Sequence, residues 1–144
     1  MPFAAGGPGN YGGMLRTMLS TACGLVMLCG AVACGTDQRA SEVSATAEEF
    51  LTAIARGDAA AACATLAPDT AEELVGSQGE PCAESLGSQE LPSGAVSEVA
   101  VWGDRAQVRT ETDVLFLVEL EDGWKVVAAG CRPQGERPYS CEVG

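Results

Sequence analysis

The sequence predicts an α+β domain, with N-terminal helices packed on a four-stranded antiparallel meander and two disulfides. Three observations carry this. Apolar residues recur at helical spacing from Val43 to Ile54, and the period changes to two from Ala95 onward. Turn signals at Gly103-Asp104 and Asp122-Gly123 divide the second half into short runs. Helices first and strands afterwards give one sheet with the helices gathered on one face.

Taken in order, residues 1–13 (MPFAAGGPGNYGG) are glycine-rich and uncharged. They precede Met14, which opens a compact leader of its own, so translation is expected to begin there. Arg16 is the one charged residue before Asp37, and Thr17 to Thr36 is a run of 20 uncharged residues. Leu19, Leu25, Val26, Met27 and Leu28 form its apolar centre, and small residues follow. A basic start, an apolar middle and a small-residue end make a secretory signal, assigned here to residues 1–33. A retained membrane helix has a similar length, but Gly24 and Gly30 weaken it.

The end of that segment, Ala31-Val32-Ala33-Cys34, resembles the lipobox of bacterial lipoproteins. The resemblance implies a diacylglyceryl group on the Cys34 thiol and cleavage just before it. Ala31 departs from the pattern, which usually has Leu there. Residues 34–41 then form the lipidated cysteine and a tether reaching about 25 Å if extended. The implied address is the outer face of the cell membrane.

Residues 42–144 form a single domain. Val43, Ala47, Phe50, Leu51 and Ile54 make one apolar stripe, with Glu42, Glu48 and Glu49 off it. Gly57 ends this helix and Asp58 caps the next, Ala59 to Leu66. That pair of roles accounts for the Arg56-Gly57-Asp58 triplet without invoking cell adhesion. Pro68-Asp69 opens a short helix through Val75, and a loop runs to Cys82. Val96–Trp102 and Arg105–Thr110 are the first two strands, the second in strict alternation. Val114–Leu120 is almost wholly apolar and reads as a central strand covered on both sides. Trp124 to Ala129 returns beside it.

Four cysteines follow Cys34, and four allow three pairings in an exported chain. The sequence-local one, Cys63–Cys82 with Cys131–Cys141, fastens a helix to the segment after Pro81 and closes the tail CRPQGERPYSC. Each bridge is worth about 3 kcal/mol. A chain with no histidine and no Cys-x-x-Cys offers no zinc site, so no metal or other cofactor is expected.

From Gly35 to Gly144 the chain carries seven basic residues and all 20 acidic ones, a net charge of −13. Such charge repels phosphate backbones, which excludes nucleic acid as a partner. It also gives no attraction to anionic lipid, so membrane attachment needs the covalent anchor.

The helix ending in Gly57-Asp58, the Ala-rich second helix and the closing Asp122-Gly123-Trp124-Lys125-Val126-Val127 resemble the nuclear transport factor 2-like superfamily. Within it, the chain looks like the small cone-shaped lipoproteins of high-GC Gram-positive bacteria, over Val43 to Cys131. The resemblance implies a curved sheet wrapped on a long helix around an apolar pocket, which some members use for catalysis and many only for binding. Isomerase-like chemistry needs an inward carboxylate and facing acidic donors. Asp113, Glu119 and Tyr139 are the candidates, but the first two read as turn and edge residues, and no catalytic residue is assigned. Phe50, Trp102, Phe116 and Trp124 are the candidate pocket lining, with plain core filling as their other reading. The sequence thus favours a non-enzymatic lipoprotein binding a small apolar ligand or an envelope protein. The competing expectation is a small isomerase- or dehydratase-like enzyme acting on an apolar molecule.

Overall fold

In the computed structural model, residues 14–75 and 79–144 are described, with side chains from Gly35 onward. Residues 1–13, expected to precede the true start at Met14, and the side chains of the lipobox, Cys34 included, lie outside them. Two compact units are present, Met1–Thr36 and Asp37–Gly144. In the first, the described backbone belongs to helix α1 (Met14–Arg56). Gly35 to Ser41, expected as an extended tether, are helical too, and the second unit begins at Asp37. No proline interrupts the helix here, and Arg39 gains contacts that an extended tether would not offer.

The remaining elements all lie in the second unit. They are α2 (Ala59–Thr65), α3 (Pro68–Glu73), α4 (Cys82–Gly87), β1 (Val96–Trp102), β2 (Arg105–Thr110), β3 (Val114–Leu120), β4 (Gly123–Gln134) and β5 (Arg137–Ser140). The strands form one open antiparallel sheet in the order β1-β2-β3-β4-β5. Five strands replace the four expected. The tail between Cys131 and Cys141 is a hairpin, its two arms paired through Arg132 with Ser140 and Gln134 with Arg137. Its few apolar residues hid it from a periodicity argument. The six-residue α4 is too short to show a helical period.

Local chemistry places the ends of α1 and α2. Gly57 adopts φ 70°, a conformation that costs glycine nothing, and its N–H donates to Ile54 O while the Asp58 N–H donates to Ala53 O. The Asp58 carboxylate then accepts from the Ala61 N–H at 3.0 Å. One dipeptide therefore closes a helix and caps the next.

Val43, Ala47, Phe50 and Leu51 of α1 are buried with Leu66, Leu86, Val108, Leu115, Leu117, Trp124 and Val126 in one core. The register assigns the sheet residues of that core to one face: Val101, Ala106, Leu117 and Val126 lie side by side across four strands. Ala100, Gln107, Phe116 and Ala128 form a matching row on the other face. β3 is central, as its composition implies. Its inner face meets α1, and on its outer face Phe116 meets the Tyr139 ring of β5 edge-on at 5.2 Å.

Candidate functional site

Both disulfides follow the sequence-local pairing. Cys63–Cys82 ties α2 to α4, across a sequence separation of 19. Cys131–Cys141 closes the β4–β5 hairpin, across a separation of 10. Beyond it the Ala129 N–H bonds Val143 O, and the Val143 side chain is buried in the core. Paired cysteines are the mark of a chain that folds in an oxidising, exported compartment. Among the described residues, no helix is long and apolar enough to cross a membrane, and no acidic or cysteine cluster has the spacing to hold a metal ion.

The four candidate lining aromatics do not converge. Phe50 and Trp124 are core residues. Phe116 points to the opposite face of the sheet, and Trp102, at the end of β1, is 51% exposed. Strand alternation explains the split: Phe116 lies between Leu115 and Leu117, which face α1. Where a pocket was expected, Phe50, Leu115, Leu117 and Val126 fill the space between helix and sheet.

The three groups weighed for catalysis are also apart. Asp113 is 7% exposed, and its carboxylate accepts from the Thr110 hydroxyl at 2.6 Å and the Gly130 N–H at 3.0 Å. It pins the β2–β3 turn to β4. Glu119 lies six residues further on, about 20 Å along the strand at 3.3 Å per residue, and pairs with Arg39 of α1. The Tyr139 hydroxyl, on the outer face, accepts from Gln107 Nε2 at 3.3 Å. Each group has a structural partner, and no two of them address a common point.

Arg39 organises the end of the domain that sequence reasoning left to a tether. Its guanidinium bonds Glu119 and the Gly103 carbonyl, at 2.6 Å for the latter, and lies 5.4 Å from the Trp124 ring centroid. One signal was legible: Arg39 stands four residues before Val43, on an extension of the apolar stripe.

Beside it, α1, α2 and the β3–β4 turn border an open cleft of about 420 Å³, lined by Glu42, Thr46, Glu49, Thr65, Trp124 and Lys125 among others. The indole N–H of Trp124 is buried without an acceptor among the described residues. The lining is mixed polar and acidic, and the cleft is open to water, unlike an enclosed apolar chamber.

No family model, curated protein or solved structure matches the chain.

Proposed function

We propose that the chain is the precursor of an exported lipoprotein, anchored through an acylated Cys34 to the outer face of the cell membrane. There its folded part binds a partner or ligand without catalysing a reaction. The address is supported by the layout from Arg16 to Cys34 and by the two disulfides of the folded part. The fold is read as nuclear transport factor 2-like, supported by α1 lying across one face of a consecutive antiparallel meander.

The single observation that carries the non-enzymatic reading is the dispersal of Asp113, Glu119 and Tyr139. A carboxylate base acts only with a donor set facing it across the reacting atoms. Here each of the three is spent on a structural partner, and the core between helix and sheet is filled.

Two experiments test the reading. Metabolic labelling with a fatty-acid analogue should mark the wild-type chain and leave Cys34→Ala unmarked; labelling that survives the substitution moves the anchor elsewhere. Native mass spectrometry of the purified full chain should reveal the co-purifying species, and a small apolar molecule returned chemically altered would establish an enzyme instead.

A further inference from the structure

We propose that the turn end of the sheet, carrying Trp102 and Leu120, rests on the lipid bilayer and sets the orientation of the domain. The inference rests on the anchoring at Cys34 proposed above.

Three large apolar side chains are exposed among the described residues: Val75, Trp102 and Leu120. Two of them share one place. The β1–β2 and β3–β4 turns lie at the same end of the meander, and Trp102 and Leu120, 51% and 38% exposed, immediately border them. Both also fall on the face turned away from α1. Trp102 pairs with Arg105, and Arg105 pairs with Val118, two residues before Leu120 on the same side of β3.

The same end is tied to the anchor by the chain itself. Arg39 is bonded to the Gly103 carbonyl and to Glu119. It lies only five positions after Cys34, a span of at most about 17 Å. A bilayer holding acyl chains on Cys34 therefore lies within reach of this turn end.

Charge favours the same orientation. Each cation bordering these turns is paired with a carboxylate: Arg39 with Glu119, Arg105 with Asp104 at 3.8 Å and Lys125 with Asp122 at 3.3 Å. These pairs are neutral, and the carboxylates outside them nearest this end are Asp37, Glu121 and, across the neighbouring cleft, Glu42 and Glu49. Anionic headgroups repel the unpaired carboxylates of the domain more than a turn whose carboxylates are paired with cations. Tryptophan favours the headgroup level of a bilayer, where its ring is half apolar and its N–H remains wet. The occupant is thus a lipid surface.

The test uses the full chain, isolated from the membrane fraction and reconstituted into phosphatidylcholine–phosphatidylglycerol vesicles with brominated acyl chains. Tryptophan emission should be quenched in the wild type, and the quenching should be lost in Trp102→Phe, which keeps the core Trp124. Unquenched emission from protein that floats with the vesicles would overturn the lipid contact and leave the anchor standing. Shielding of Trp102 that depends on protein concentration in detergent without lipid would assign the surface to a second copy. Protein that does not float with the vesicles would overturn both readings.

Discussion

Arg39 of α1 and Glu119 of β3 form an ion pair between positions 80 apart in the chain. The same guanidinium holds the Gly103 carbonyl and lies over Trp124. One side chain therefore joins the helix to both turns at that end of the sheet.

Replacing Arg39 should accordingly cost more than replacing its partner. Both side chains are about a third exposed, so the pair alone is worth less than about 1 kcal/mol. Arg39→Ala also loses a charged hydrogen bond to a carbonyl, and a total near 2 kcal/mol is expected. Urea unfolding of the two single variants and the double variant would measure both. A coupling energy above the cost of Arg39→Ala itself would contradict this division.

Asp113 should behave as a structural residue. Asp113→Ala leaves the buried Gly130 N–H without its carboxylate acceptor, at a cost of about 1–3 kcal/mol. Asp113→Asn keeps the shape and one acceptor and should cost less. Thermal unfolding of both variants gives the order, and a wild-type midpoint in Asp113→Ala would show that the carboxylate does not hold the turn.

The two disulfides should contribute about equally, near 3 kcal/mol each. Cys63–Cys82 closes the longer loop, 19 against 10 residues apart. Loop entropy therefore favours it by only about 0.6 kcal/mol. Non-reducing peptide mapping should return these two pairs. Paired Cys→Ser variants unfolded in denaturant should then show losses of similar size.

The aromatic residues should divide sharply. Phe50→Ala opens a cavity beneath α1 and should cost about 3–5 kcal/mol. Trp102→Ala, at an exposed strand end, should change stability by less than about 0.5 kcal/mol. Equal losses would mean that Trp102 is covered within the folded chain.

Much of the fold was legible before any tertiary information. Val43 to Ile54 announced a helix because burial along one side requires that spacing, and Gly57-Asp58 marked the junction because φ > 0 and a free carboxylate suit those two positions. The alternation from Arg105 and the Asp122-Gly123 turn fixed three neighbouring strands by local geometry. Features without such local signals escaped. The β4–β5 hairpin is held by a cysteine bridge and strand pairing in a stretch with little apolar content, so no periodicity reported it.

By itself the sequence determined what short-range chemistry controls: the helix stripe, the turn residues, the charge and the layout around Cys34. Only tertiary structure decided which of those residues meet. Phe50 and Trp124 became core while Phe116 and Trp102 did not, because a strand turns alternate side chains to opposite faces and only one face receives α1. Asp113 and Glu119 were placed at opposite ends of one strand and drawn into separate contacts. Arg39, in a stretch that read as a tether, became the link between helix and turns because its partners lie more than 60 positions away in the chain. No local pattern encodes a contact of that range.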